Sequence, residues 1–551
     1  MRARATELLP LALAFAPLLL GAADQIQEVD PAQYAEVGRR MFESGDWAHL
    51  RDVNGPFLNK PPLTFWLMCG AFKLFGLTSF AVRFAPLVLG ALLLPLTARI
   101  GALLFDRRTG LWGAAMLGAS PAFQLMVADP KVDMPVTFFI AAAVWLMLEA
   151  RRRPALSYLA WIAAGLAVLS KGPLGLVVPV LAVGPEALRR RWGASPSEPA
   201  GTAWQRLRPL RPIAGPLLLL LVAGPWHLEN AREFGSAGPT LLLWNQSLGR
   251  LVSPDFIAND TTPLFFFHTI LWAYLPFSPL FVLELGRRAR ALLRDRRLPP
   301  DESRVLLWWF LVPFAGICLA RYRLPQYCYW MAPPAALLSA RALLAAQLPA
   351  RPLQIAQVAL SGLLLALVAF LLVLCFPAGH PAVTGAWLLL AALLAGAGLW
   401  ASRRAPGEVR PMLAGVMALT AFNAVFEGHV HRALLFYQPD QAFGTLAREL
   451  DPDGSVLPRL GAPETQALAF YARRDVVTMT AEEVRDAARA GKTRLVVVAE
   501  EQLPELSAQG LSTRALLVRP WFWTSRPTLP FLLQRSRPQA TSRLALVELT
   551  P

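Results

Sequence analysis

The chain has 551 residues, 55% of them apolar and only 16% charged, with a mean hydropathy of +0.42. A soluble fold of this size ordinarily carries about 25% charged residues, so this composition leaves too little polar surface to cover one. The +16 net charge would point to nucleic acid in a hydrophilic chain. Here the cations punctuate long apolar runs, so the expectation is a polytopic membrane protein with basic cytoplasmic loops and no nucleic-acid partner.

In chain order, Arg2 and Arg4 precede an apolar run at 8–23 that resembles a secretory signal. Its flank, Asp24-Gln25-Ile26-Gln27-Glu28, is a poor cleavage site, and a retained first span is expected. Further runs able to cross about 30 Å of hydrocarbon fall at 80–103, 110–127, 134–150, 156–171, 173–187, 212–228, 263–284, 304–319, 328–347, 353–376, 382–402 and 410–427, about thirteen spans in all. With the N-terminus inside, Arg107-Arg108, Arg151-Arg152-Arg153, Arg189-Arg190-Arg191, Arg206, Arg208, Arg211, the basic cluster at 287–297 and Arg403-Arg404 share the inner side. Asp24, Glu28, Asp30, Glu36, Asp52, Asp129, Asp133, Glu229 and Asp255 collect outside.

An odd span count leaves the tail outside. Residues 428–551 carry 15 Lys+Arg and 13 Asp+Glu, so +14 of the +16 belongs to 1–427. Within the tail, strands are expected at 455–460, 476–479, 494–499, 513–518 and 543–549, and helices at 464–473 and 481–490. The reading is mainly α: a transmembrane unit over 1–427, with its first outer loop at 24–79, followed by a small extracytoplasmic α/β domain over 428–551. That domain has no Gly-rich phosphate loop, so its expected role is to cap or shape the membrane site. Cys69, Cys318, Cys328 and Cys375 lie in or beside apolar segments without metal-ligand spacing and read as small buried hydrophobes.

Carriers place polar groups in mid-bilayer, whereas here the unusual polar groups sit in outer loops. Asp30-Pro31 opens a helix placing Tyr34, Val37, Met41 and Phe42 on one face, an amphipathic helix expected in the membrane interface. Alone, Asp30 reads equally as a helix N-cap. Lys60 precedes Pro61-Pro62, whose stiff backbone would hold its ammonium at the membrane surface, suited to a lipid phosphate or to plain snorkelling. Only five lysines occur against 48 arginines, and Lys60, Lys131 and Lys171 all fall at outer span ends. Asp129-Pro130-Lys131-Val132-Asp133, Ser170-Lys171-Gly172-Pro173 and Arg321-Tyr322-Arg323-Leu324-Pro325-Gln326-Tyr327 form three more outer turns. Together, four turns on one membrane face could bring an acid to several phosphate-binding cations. Among the histidines, His268 is the one expected to face such a cavity.

These residues resemble a known family. Asp30…Tyr34-Ala35-Glu36…Asp46-Trp47, Asn54-Gly55, Lys60-Pro61-Pro62-Leu63 and Val82-Arg83-Phe84 are similar to the first-loop signature of the GT-C membrane glycosyltransferases. The group is the protein O-mannosyltransferase-like one (family 39), nearest to its bacterial branch that transfers 4-amino-4-deoxy-L-arabinose to lipid A. Val132-Asp133-Met134-Pro135, Ser170-Lys171-Gly172-Pro173 and Arg323-Leu324-Pro325-Gln326-Tyr327 look like later landmarks of that group, so motifs cover about 1–350 and architecture alone covers the rest.

The resemblance implies that Asp30 is the catalytic carboxylate. It implies that Lys60, Arg321, Arg323 and Lys131 bind the donor phosphate, and that Tyr34, Asp129, Asp133, Lys171, Tyr327 and His268 line the substrate cavity. It also implies a polyprenyl-phosphate sugar as donor, lipid A or another cell-envelope glycolipid as acceptor, membrane lipids as surroundings and a monomer in the bacterial inner membrane with its site facing the periplasm. Departures occur at Pro31 and Gln33, where the group commonly has Glu and Arg, and at Asn59, where an acidic residue associated with a metal typically stands. No cofactor is therefore expected with certainty, a divalent metal staying open and no metal ligand being assigned. Rival readings are a protein O-glycosyltransferase and, in a different class, a transporter or flippase of lipid-linked sugars.

Overall fold

In a computed structural model, residues 5–189, 202–249, 261–262, 264–295, 303–344, 350–406 and 409–550 are described. Arg190, Arg191, Asp255, Arg296, Arg297 and most of the loop at 193–203 lie outside them. A helix occupies every expected apolar run, and the fold is mainly helical. Among the described residues, five helices are both long and apolar enough to cross a membrane: Ser79–Leu104, Ala203–Phe234, Val358–Cys375, Pro381–Arg404 and Arg410–Leu435. Leu156–Lys171 and Arg304–Leu319 are among the shorter apolar helices.

The run expected as one straight span at 110–127 is broken. Arg107–Ala119 and Pro121–Ala128 meet at 61°. Ser120 is extended and caps the second helix with its hydroxyl, and Pro121 takes the first helical position, where its missing N–H costs nothing. The run at 263–284 is likewise split into Phe265–Ala273 and Ser278–Asp295.

The first outer loop is built around the helix Asp30–Ser44, which Gly45 closes with a positive φ of 71°. The sequence places this helix in the membrane interface, but protein surrounds it. Tyr34, Val37 and Met41 are buried, and so are Glu36 and Arg39 on another face. The second helix of the loop, Leu63–Phe75, covers one side so closely that a Cβ on Gly38 would lie 3.3 Å from Met68 Sδ. Between the two helices, the short strands β1 (Arg51–Asp52) and β2 (Gly55–Pro56) pair in antiparallel fashion.

The tail forms a five-stranded sheet from β3 (Val456–Leu460), β4 (Asp475–Thr478), β5 (Leu495–Ala499), β6 (Ser512–Trp521) and β7 (Ser542–Thr550), in the order β4-β3-β5-β7-β6. β3 runs parallel to β4 and β5, and β7 antiparallel to β5 and β6. Continuous apolar stretches such as Leu495–Ala499 suit strands buried on both faces, here beneath the helices Gln466–Ala472 and Ala481–Arg489.

This layer is clamped to the first loop by buried polar contacts. Glu28 accepts from the Ala467 N–H (2.6 Å), and the Glu28 N–H donates to Gln438 Oε1 (3.0 Å). Ile26 N–H donates to the Tyr471 hydroxyl (2.8 Å), which also meets Ser79 Oγ (2.7 Å). The tail therefore braces the chain immediately before Asp30.

Candidate active site

Asp30 and Asp133 each begin a helix, yet neither carboxylate caps one. Both are turned to lysines. Lys131 Nζ lies 2.8 Å from Asp129 Oδ2 and 3.7 Å from Asp30 Oδ2, and Lys171 Nζ is hydrogen-bonded to Asp133 Oδ1. Asp30, Lys60, Lys131, Asp133, Lys171, Tyr34 and Tyr327 line one cavity of about 480 Å³. Asn59, Gln33, Tyr322 and Gln326 line it as well, residues to which the sequence reading assigned no role there.

Each side chain is held by local structure. Tyr34 is fixed edge-on against Phe57 and Phe65, at centroid distances of 6.1 and 5.7 Å. Burial, followed by the Asp30 charge, pushes its phenol well above the ordinary range, so it stays a neutral hydrogen-bonding group. Tyr327 is stacked on Phe266, and Lys171 Nζ stands 5.4 Å from the Tyr327 ring centroid, a cation–π contact. Gln33 donates to Asp52 Oδ2 at 2.7 Å, tying the helix start to β1.

The acid–lysine cluster is charge-matched. Burial works against the Lys131 ammonium, but Asp129 and Asp30 outweigh it and raise its pKa above that of ordinary lysine. Burial raises the Asp129 carboxyl, and the neighbouring ammonium offsets part of that rise. A permanently charged lysine beside Asp30 suits an incoming anion and keeps the carboxylate oriented.

Four sequence assignments fall outside the lining of this cavity. Arg323 is 8% exposed, and its guanidinium donates to the Thr261 carbonyl (2.6 Å) and the Cys318 carbonyl (3.5 Å). It ties down the turn that presents Tyr327. Arg321 is exposed beyond the lining, and His268 is exposed with its ring 5.1 Å from that of Phe265. Asp129 reaches the cavity only through Lys131 and itself lines a neighbouring hollow.

Arg83 is the residue whose placing role the sequence did not reveal. It is 3% exposed and donates to the carbonyls of Ala128 (3.0 Å), Asp24 and Gln25 (2.9 Å). One guanidinium thus joins the segment leading to Asp30 to the segment carrying Asp129 and Lys131. An arginine inside an apolar helix start was the available signal, because a buried guanidinium has to find acceptors.

The residues present do not fit a divalent cation. No group of three or more His, Cys, Asp or Glu side chains with metal-holding geometry occurs among the described residues. The carboxylates of Asp129 and Asp133 are bonded to lysines, and neutral Asn59 lines the cavity next to Lys60.

Residues 59–196 match the model of a protein family described as dolichyl-phosphate-mannose-protein mannosyltransferase. That stretch contains Lys60, Asp129, Lys131, Asp133 and Lys171. The chain is 31% identical over 327 residues to the undecaprenyl phosphate-alpha-4-amino-4-deoxy-L-arabinose arabinosyl transferase of Pseudomonas paraeruginosa, covering 57% of this chain and 55% of that protein. It is 29% identical over 333 residues to the corresponding transferase 2 of Proteus mirabilis, covering 57% and 54%. The matches thus span about half the length of these relatives. In fold, the chain is similar to the crystal structure of ArnT from Cupriavidus metallidurans bound to undecaprenyl phosphate, with a TM-score of 0.73, 18% identity and coverage of 99% and 98%. The comparisons of sequence thus point to the same group as the motifs, and the comparison of structures shows a shared fold.

Proposed function

We propose that this protein is a membrane glycosyltransferase that moves a sugar from an undecaprenyl-phosphate donor to an outer-leaflet acceptor, lipid A or a related glycolipid. The observation that carries this reading is the single cavity lined by Asp30, Lys60, Lys131 and Lys171, in a chain similar to transferases whose names specify an undecaprenyl-phosphate sugar. The finer architecture belongs to the same proposal: about thirteen spans in the bacterial inner membrane, a transmembrane unit over 1–427, and a periplasmic C-terminal domain over 428–551 acting as a monomer.

A polyprenyl-phosphate sugar keeps its tail in lipid and presents its anomeric carbon at the outer surface. In the proposed reaction the acceptor oxygen forms a bond to that carbon as the carbon–oxygen bond to phosphate breaks. Undecaprenyl phosphate departs with the electron pair, and in-line attack inverts the centre. Lys60 and Lys131 stabilise the charge that grows on the leaving phosphate, an effect worth several kcal/mol in a poorly solvated cavity. Asp30 takes the proton of a hydroxyl acceptor as general base. A phosphate acceptor, already ionised, would need Asp30 only for orientation. Tyr34, Tyr327 and the Asp133–Lys171 pair shape the sugar pocket.

The matched family's description names a protein as mannosyl acceptor, which makes a protein hydroxyl the second reading. Transfer from a radiolabelled undecaprenyl-phosphate sugar by the purified chain, offered lipid A in one arm and periplasmic protein in the other, tests both. Label in the lipid A fraction supports the proposal. Label only in protein favours the second reading, and label in neither overturns both.

A further inference from the structure

Behind the Asp30 cavity lies a second one of about 270 Å³. The two share a wall: Asp30 and Lys131 line the first, whereas their chain neighbours Pro31, Asp129 and Pro130 line the second. Leu371, Phe376, Phe426 and Leu434 give the second cavity an apolar side. Against that side stands Glu427, only 5% exposed, with His431 Nδ1 at 3.5 Å and the Arg83 charge close enough to act on it. That nitrogen makes no hydrogen bond, and neither does the buried Oδ1 of Asp129.

The Glu427 carboxylate is firmly placed. The backbone at Gly21 passes so close that a Cβ there would lie 2.5 Å from Glu427 Oε2. Phe426 stacks parallel to the His431 ring at 6.0 Å. Arg83 also lines the cavity, but its N–H groups are turned to the carbonyls of Ala128, Asp24 and Gln25. The cavity therefore sets two carboxylates, Asp129 and Glu427, beside an apolar surface, with Gln27, His431 and Thr524 completing its polar lining.

We propose that this second cavity binds the acceptor, and that the acceptor is a hydroxylated amphiphile. Its sugar hydroxyls donate to Glu427 and Asp129, and its acyl chain lies on the apolar side. The inference rests on the glycosyltransferase reading and narrows it: two carboxylates favour a hydroxyl group over a phosphate as the attacking group, and Asp30 then serves as base. A hydroxyl donated to a buried carboxylate is a strong hydrogen bond.

The test uses the full-length protein in lipid nanodiscs, with labelled dodecyl glucoside as a hydroxylated probe, dodecyl phosphate as an anionic one, and undecaprenyl phosphate filling the donor cavity. The glucoside is expected to bind in the presence of undecaprenyl phosphate. Glu427→Gln and Leu434→Trp should each weaken it about tenfold or more while undecaprenyl phosphate binding stays unchanged. Unaltered glucoside binding in both variants, or tighter binding of dodecyl phosphate, overturns the proposal. Displacement of the glucoside by undecaprenyl-phosphate glucose but not by undecaprenyl phosphate would assign the cavity to the donor sugar and also overturn it. If Leu434→Trp loses both ligands, the volume-conserving Glu427→Gln decides. Failure of the unmodified protein to bind undecaprenyl phosphate would sink the glycosyltransferase reading instead, and the glucoside arm would still report on the cavity.

Discussion

The ammonium of Lys131 stands 3.7 Å from the carboxylate of Asp30 while it is hydrogen-bonded to Asp129 at 2.8 Å. Asp30 thus meets a cation whose charge is already largely balanced by another acid. Its own carboxylate, 42% exposed, stays open to the cavity. This is the disposition expected of a base or an orienting group, and not of a helix cap.

Replacing Asp30 by Asn removes the proposed base and keeps the volume. Transfer from an undecaprenyl-phosphate sugar to a hydroxyl acceptor should fall by about 100-fold or more, with undecaprenyl phosphate binding retained. Single-turnover measurement of sugar transfer checks this, and full activity in the variant would remove Asp30 from the chemistry.

Lys60 is proposed to hold the donor phosphate as a point charge at the cavity rim. Lys60→Ala should lower kcat/KM by about 10- to 100-fold, since charge stabilisation of a leaving phosphate is worth a few kcal/mol. Lys60→Arg should recover part of that loss, because it restores charge with a different geometry. Equal activity in the Ala and Arg variants would contradict a phosphate role.

Asp133 and Lys171 form a pair whose side chains are 6% and 16% exposed. Lys171→Met leaves a buried carboxylate without its partner and should destabilise the fold by about 3 kcal/mol. Adding Asp133→Leu should return much of that stability, since removing both members costs less than removing one. Thermal unfolding of the two variants in detergent distinguishes this pair from two independent surface charges.

The junction between the first loop and the tail carries a pH dependence of definite sign. Burial and then the Asp440 charge push the Glu28 carboxyl well above its ordinary value, and burial pushes Asp440 up to about 6. A carboxyl raised in the folded state binds more protons there than in the unfolded chain, so stability falls as pH rises. The apparent unfolding temperature should therefore drop between about pH 4 and pH 6 on account of Asp440, with Glu28 extending the decline upward. Asp440→Asn with Glu28→Gln should flatten that profile. A midpoint that instead rose across this window in the wild type, relative to the double variant, would show the junction to be ionised without cost.

The membrane character, the helical runs and the order of elements in the tail could all be read from composition and periodicity. These depend on local patterns: apolar length for a helix in the bilayer and continuous apolar stretches such as 495–499 for buried strands, whereas the same patterns give one straight span across the break before Pro121. The motifs also singled out Asp30, Lys60, Lys131, Asp133 and Lys171, because unusual lysines and acids on one membrane face are visible in a chain with so few lysines.

Tertiary structure decided the rest. It paired Lys131 with Asp129 and Asp30, and Lys171 with Asp133, across segments up to 101 positions apart in the numbering. It turned Arg323 to backbone carbonyls and left Arg321 and His268 outside the cavity. It buried the Asp30–Ser44 helix against protein where its amphipathic pattern had suggested lipid. The physical reason is the same in each case. A charge or an apolar face announces that it needs a partner, but which partner it receives depends on distances that exist only once remote segments have packed together.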